Sequence, residues 1–315
     1  MRTIYLQEKG PSDLPACVAT IGFFDGVHRG HQFLLSHVVK TAQKEGRLSM
    51  VITFDKHPRE VLHADYQPQL LTSLHEKLCL LERTGVDVAV ILHFDAALAQ
   101  LSALDFMRDL LHRRLHVVKL FIGYDHRFGH NRAEGLADYV VYGKEMGMEV
   151  VQNPVFKLNG ENISSTICRR HVAAGEMEIA TACLGHPYII EGKVVSGFQE
   201  GRKMGVPTAN IQPDEPRILI PASGVYAVKV RIEGEETWRL GMMNIGTRPT
   251  FGGDSLTLEA HIFNFNGNLY GKSLQVAVLH RIRDEHKFRS VEELTQQLKQ
   301  DQQKIIEIEE TNERE

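Results

Sequence analysis

Cysteine is scarce in this chain: four occur among 315 residues (Cys17, Cys79, Cys168 and Cys183), and no two form a C-x-x-C pair. Such scatter argues against a disulfide or zinc framework and predicts buried thiols in a reducing, cytoplasmic setting. A basic excess is missing too. The 36 Lys and Arg face 40 Asp and Glu, a formal net charge of −4, and no basic block marks a footprint for nucleic acid. No stretch approaches the ~18 apolar residues of a membrane span, and residues 1–10 lack the apolar core of a signal peptide, so neither insertion nor export is expected. There is no Walker lysine loop, no G-x-G-x-x-G fingerprint and no repeat of solenoid or propeller period. Ordinary Rossmann dehydrogenases and P-loop kinases are therefore poor matches.

What is present is a globular composition, 43% apolar and 24% charged. At roughly 150 residues per domain the length suggests two domains. Apolar runs at 17–24, 48–54, 86–94, 117–124 and 148–156 alternate with segments of helical period such as 32–44 and 73–84. That alternation predicts helices crossing over a parallel sheet. A single helix is expected over 166–184, stopping at Gly185 before His186-Pro187. This places a boundary between domains 1–185 and 186–315. Beyond it, runs at 188–195, 224–232, 238–245, 256–265 and 273–282 alternate in face, as in an antiparallel sheet or small barrel, and an amphipathic helix over about 291–309 closes the chain.

The first chemical string, Gly22-Phe23-Phe24-Asp25-Gly26-Val27-His28-Arg29-Gly30-His31, follows the first long apolar run and precedes a helix. Unpaired amides and the helix dipole converge at such a junction and attract phosphate. Gly22, Gly26 and Gly30 allow close backbone approach, and His28 and His31 can donate hydrogen bonds to a leaving pyrophosphate. Further along stand Thr53-Phe54-Asp55-Lys56-His57-Pro58, Gly123-Tyr124-Asp125-His126-Arg127-Phe128-Gly129 and Ile163-Ser164-Ser165-Thr166-Ile167-Cys168-Arg169.

With these strings the sequence closely resembles the bacterial bifunctional riboflavin kinase/FAD synthetases. Their N-terminal module is a Rossmann-like α/β adenylyltransferase of the HxGH nucleotidyltransferase superfamily, with a parallel sheet. The last two strings are similar to the family's G-x-D-F-R-F-G and I-S-S-T-x-I-R elements. The resemblance implies a nucleotide cradle including Gly22, Phe24, Asp25, Gly26 and Gly30, catalytic roles for His28, His31 and Arg169, and phosphate contacts from Ser164, Ser165 and Thr166. Asp125 and Arg127 are a contact on the flavin or nucleotide side, or equally a structural ion pair. Phe23, Lys56 and His126 depart from the family's usual Asn, Pro and Phe.

The second string is Gly197-Phe198-Gln199-Glu200-Gly201-Arg202-Lys203-Met204-Gly205-Val206-Pro207-Thr208-Ala209-Asn210. Gly201 and Gly205 permit close approach, Pro207 stiffens the turn, and Thr208 and Asn210 offer hard oxygens suited to magnesium. The string resembles the riboflavin kinase motif G-x-x-x-G-R-x-x-G-x-P-T-A-N, which adds Arg202 to the ligand contacts and implies a small antiparallel β-barrel with a C-terminal helix. Glu259, in Leu258-Glu259-Ala260-His261, is the candidate general base, because the riboflavin 5′-hydroxyl is a weak nucleophile. Arg283 is a flavin or phosphate contact, or an ion-pair partner of Glu285 or Asp284. Asn264 stands where the family usually has Asp.

The expectation is an enzyme that uses ATP as co-substrate with magnesium, phosphorylates riboflavin to FMN and adenylylates FMN to FAD. Two rivals remain: a nucleotidyltransferase for another small phosphate, which leaves residues 207–210 and Glu259 idle, and a flavin or nucleotide sensor without turnover. His112 and His116, four apart beside Arg113 and Arg114, read as a solvated basic helix face rather than a zinc grip.

Overall fold

A computed structural model describes the chain except residues 7–13, 63–66, 125, 197–206, 251–252 and 313–315. It divides into two compact units, Met1–Gln69 with Leu74–Ser165, and Leu70–Ser73 with Thr166–Glu315. No helix among the described residues is long and apolar enough to cross a membrane.

The first unit is built on a six-stranded sheet whose strands are all parallel. In chain order these are β1 (Arg2–Leu6), β2 (Cys17–Ile21), β3 (Leu48–Phe54), β4 (Val88–Leu92), β5 (Val117–Ile122) and β6 (Glu149–Gln152). Strands β2 and β4 are buried along their full length, because helices cover both faces and an unbroken apolar run is what such a position needs. Alternate residues feed two cores. Val18, Val51 and Ala89 meet Leu34, Leu35 and Val38 of α1 (Arg29–Glu45), whereas Ala19, Ile52 and Val90 share a core with Met107, Leu111 and Tyr139. The lateral order is β1-β4-β3-β2-β5-β6. The chain thus runs outward from β2 through β3 to β4 and then returns to β5 on the other side of β2. Between the ends of β2 and β5 lies the switch point where open α/β sheets bind ligands.

Strand β1 has no apolar run in the sequence. It is an edge strand, Arg2 opposite Val88 through Leu6 opposite Leu92, with only Ile4 buried. His112 and His116 do not share a helix: Phe106–Arg114 is a π-helical segment, and His116 lies past its end with φ 51°.

The second unit holds a closed antiparallel barrel in the order β10-β13-β12-β11-β14-β9. Its strands are β9 (Tyr188–Val195), β10 (Ala209–Pro213), β11 (Gly224–Ile232), β12 (Trp238–Thr250), β13 (Gly253–Ile262) and β14 (Ser273–Arg283); a short pair, β7 (Lys157–Leu158) and β8 (Glu161–Asn162), precedes them in the first unit. On β11 the alternation expected from sequence holds. Tyr226, Val228 and Val230 are fully buried, while Ala227 and Val225 pack with Ile305 of the closing helix Val291–Asn312. Lys229 on the same outward face pairs with Glu309.

Two expectations are corrected. The helix expected over 166–184 is two helices, Ser165–Ala174 and Met177–Leu184. Gly175 divides them with φ +75°, where a Cβ would meet the Tyr226 hydroxyl and Arg281. Arg283 makes no ion pair with the Asp284 or Glu285 carboxylate, although its Nη1 donates to the Asp284 carbonyl at 3.0 Å. Its guanidinium grips Asp301 at 2.9–3.1 Å, and Asp301 is only 2% exposed, so the pair ties the closing helix to β14.

Candidate functional site

Strand β2 stops at Ile21, and the Gly22 amide still bonds the Ile52 carbonyl of β3 at 3.0 Å. Phe24 then enters the left-handed region at φ 55°, and a 3-10 turn, Asp25–Val27, swings the chain into α1. His28 is the N-cap of α1: its Nδ1 accepts from the His31 amide at 3.3 Å. The helix therefore starts at Arg29, inside the motif, and its first amide groups, which lack intrahelical acceptors, make this helix start a place that favours an anion. The His28 and His31 rings stack with centroids 3.6 Å apart, and Phe24 meets His31 edge-on at 5.0 Å. Gly30 is needed for this stack, since a Cβ there would press the His28 ring at 3.1 Å and the Ile163 carbonyl at 3.2 Å.

The 163–165 segment closes on the same turn. Ser165 Oγ donates to the Asp25 carbonyl at 3.0 Å, with Ser164 alongside. Gly22, Phe24, Asp25, Gly26, His28, Gly30, His31, Ser164 and Ser165 thus share one corner of the first unit. Thr166, exposed, and Arg169, half-buried, lie further along the same helix and fall in the second unit. Arg127 is exposed in the loop after β5, and Asp125 lies outside the described residues. That loop is pinned by Tyr139, which stacks on Phe128 at 4.3 Å and bonds its backbone N–H and carbonyl at 3.0 Å each.

One residue beside the turn escaped the sequence reading. Lys77, on the helix Leu74–Arg83, is 3% exposed and donates to the carbonyls of Phe23 at 3.2 Å and Phe54 at 3.0 Å. Burial pushes its ammonium down to about 8, and Asp25 and Asp55 oppose that shift. The available signal was a lysine on the apolar stripe Leu74, Leu78, Leu81. Asp55 accepts from His93 at 2.6 Å and the Phe94 amide at 3.1 Å. Burial alone would raise its carboxyl, but these hydrogen bonds outweigh burial and hold it below the usual range.

A pH effect on stability follows. The unfolded Lys77 ammonium titrates near 10.5 and the folded one near about 8. Between those values the unfolded chain binds more protons, so stability rises with pH across that window; below it the full cost of the buried charge, roughly 3 kcal/mol, is present. Urea unfolding of the first unit, compared between the native chain and Lys77→Met, is expected to show this gain between about pH 7 and 10.5 only where the lysine remains.

The second constellation forms on the barrel. Cross-strand register places Asn210 of β10 and Asn244 of β12 directly opposite Glu259 of β13, so the three share one face in a row. Asn244 Nδ2 donates to Glu285 Oε1 at 3.2 Å, and any side chain at Gly246 would collide with that Glu285 carboxylate. Sequence reading gave Asn244 no role and offered Glu285 only as a partner for Arg283, because their neighbourhood is made by register across strands, not by spacing along one.

Pro207 is exposed, and its carbonyl accepts from His261 Nδ1 at 2.8 Å; Thr208 follows, half-buried, before β10 begins. Gly201, Arg202 and Gly205 lie outside the described residues. A cavity of about 590 Å³ opens beside these elements, lined by Pro207, His261, Asn264, Phe265 and Leu298 among others. Asn264 adopts φ 54°, a conformation Asn and Asp both tolerate, so its exchange for the family's Asp changes the charge at the cavity rather than the backbone. Among the described residues no group of three or more His, Cys, Asp or Glu could hold a metal. The neutral oxygens of Thr208 and Asn210 fit a hard cation that arrives with phosphate oxygens as its principal ligands.

Comparison with known proteins matches both constellations. The FAD synthetase family model matches residues 10–167, and the riboflavin kinase family model matches residues 184–308. A bifunctional riboflavin kinase/FMN adenylyltransferase of Escherichia coli strain K12 is 39% identical over 96% of this chain and 95% of its own length. Those of Haemophilus influenzae (39%, covering 91% and 92%) and Listeria monocytogenes (37%, covering 96% of each) are similar. A crystal structure described as a macrolide-efflux protein from Streptococcus pneumoniae matches with a TM-score of 0.87 and 32% identity, over 96% of this chain and 98% of that one. Efflux is said of that protein alone. With both family models matched in order and full-length relatives at this identity, the chain belongs to the bifunctional riboflavin kinase/FMN adenylyltransferases.

Proposed function

We propose that the chain makes FAD from riboflavin in two ATP-dependent steps, phosphorylation in residues 186–315 and FMN adenylylation in residues 1–185, with the named side chains in the following roles. In the first step the Glu259 carboxylate takes the proton of the riboflavin 5′-hydroxyl as that oxygen bonds to the γ-phosphorus of ATP and ADP departs. Asn210 and Asn244 hold the carboxylate in line from either side. Gly201, Arg202, Gly205 and Pro207 receive the triphosphate, and Thr208 and Asn210 would hold magnesium, which when bound neutralises phosphate oxygens. Arg283 serves this module through the ion pair that anchors the closing helix.

In the second step a phosphate oxygen of FMN attacks the α-phosphorus of ATP and pyrophosphate leaves. His28 and His31 donate hydrogen bonds to the charge passing to the pyrophosphate, Arg169 adds a fixed positive fork, and Ser164, Ser165 and Thr166 hold phosphate oxygens. Gly22, Phe24, Asp25, Gly26 and Gly30 shape the nucleotide cradle, and Asp125 and Arg127 contact the flavin or nucleotide. Four free thiols suit a reducing compartment, and the cytoplasm is the proposed setting. No polynucleotide partner belongs to this reading.

The observation that carries it is the row Asn210, Glu259, Asn244 on a module separate from the adenylyl-transfer corner. A nucleotidyltransferase for another phosphate has no use for that row. Chromatography of the chain incubated with riboflavin, ATP and magnesium is the test: FMN and then FAD are expected, while riboflavin recovered unchanged would favour a sensor that binds without turnover.

A further inference from the structure

Lys77 has no part in the two steps above, yet two of its three donors bond backbone carbonyls at the nucleotide-side turn and the strand end beside it. Two N–H groups meet the carbonyls of Phe23 (3.2 Å) and Phe54 (3.0 Å), and the ammonium lies 4.2 Å from the centre of the Phe23 ring. Phe54 is the last residue of β3 and Phe23 lies just beyond β2, so the contacts join two neighbouring strand ends at the ligand edge of the sheet.

The backbone between these strand ends and α1 is unusual. Phe24, Gly26 and Val27 all have positive φ, at 55°, 75° and 35°. For phenylalanine and β-branched valine this persists only where the surroundings dictate it. Phe24 and Val27 are packed into the core beside α1, and side-chain hydrogen bonds hold the turn as well. Thr53 Oγ1 and Lys77 Nζ both donate to the Phe23 carbonyl, Ser165 to Asp25, and Gln32 Nε2 to Val27 at 2.9 Å. An apolar side chain of equal length would cost less to bury but would leave the Phe54 carbonyl without this charged donor. A cation is retained here against its own desolvation.

We infer that Lys77 is a positioning residue for FMN adenylylation, its ammonium clamping the Phe23 and Phe54 carbonyls so that the 22–28 turn presents His28 and His31 to the triphosphate. This rests on the adenylyltransferase reading of the first unit. The charged and titratable groups around the clamp are Asp25 in the turn, Asp55 after β3 with His93 bonded to it, His57 against the Phe23 ring, and Glu76 on the lysine's own helix. Because the ammonium titrates near about 8, the clamp loses its charge and one donor above that pH, and adenylylation weakens.

The experiment uses the full chain and follows both reactions, riboflavin phosphorylation serving as the internal control. Lys77→Met is expected to lower kcat/KM for FMN adenylylation about 30-fold, leave phosphorylation within about twofold, and remove the alkaline limb near pH 8 from the residual adenylylation. Adenylylation within about threefold of the native chain, or an unchanged alkaline limb in the variant, overturns the inference. If Lys77→Met abolishes both reactions through misfolding, Lys77→Gln decides: it keeps two N–H donors without the charge, so a native rate and pH profile refute the clamp, and a lowered rate without the limb supports it. A native chain that makes FMN but no FAD at any pH is instead a failure of the adenylyltransferase reading, and removes the basis of the inference with it.

Discussion

Glu259→Gln is expected to lower FMN formation from riboflavin by about 10²–10⁴-fold, the range a positioned general base contributes, while FMN supplied directly is still converted to FAD. The substitution removes the proton acceptor and little else. Glutamine has the same shape, and both neighbours across the strands, Asn210 and Asn244, carry amides that can hydrogen-bond an amide as well as a carboxylate. Barrel packing is untouched, because the buried residues among those described on this strand, Leu258, Ala260 and Ile262, lie on the opposite face. Parallel assays started from riboflavin and from FMN read the two steps separately. Unimpaired phosphorylation would remove Glu259 from the mechanism, and equal loss of both reactions in a folded variant would contradict separate sites.

The mirror experiment is His31→Ala. Here FMN adenylylation is expected to fall about 10²–10³-fold, as when one preorganised donor to developing charge is deleted, with riboflavin phosphorylation preserved. The loss includes an indirect part. His31 stacks on His28 at 3.6 Å and has the edge of Phe24 at 5.0 Å, so deleting its ring also frees the His28 imidazole. His31→Gln, which restores a donor but not the stack, should recover part of the rate. If neither variant changes FAD formation from FMN, the paired histidines do not serve the reaction.

Much of this molecule was readable along the chain. Strands β2 to β5 announce themselves because a parallel strand covered on both faces must be apolar throughout, and the barrel strands because one face alternates with the other. The phosphate-side corner was readable for a different reason: most of its residues lie in one string, 22–31, and Gly30 and His28 are constrained by each other. What escaped is what depends on partners distant in sequence. Strand β1 is an edge with one buried side chain, and β10 is a five-residue strand ending in Pro213 that exists because β9 and β13 flank it. Gly175 breaks a helical pattern with a left-handed backbone, and Tyr226, 51 positions away, leaves no room there for a side chain. Arg283 has two acidic neighbours in sequence yet pairs with Asp301, because the closing helix brings a buried carboxylate to it.

Closure of the barrel has a temporal consequence. Strand β9 completes the ring by pairing with β14, joining positions 80 to 90 residues apart, as in Lys193 with Ser273 and Tyr188 with Val278. The parallel sheet has its last strand by Gln152. On a ribosome, the nucleotide-side module therefore has every strand it needs before the first barrel strand emerges, whereas β9 meets β10 early but must wait for β14, the last barrel strand, before its other edge is paired. A nascent chain arrested before residue 273 would carry a complete sheet followed by an unclosed ring, and the later enzyme of the polypeptide, which performs the earlier reaction, is the last to be born.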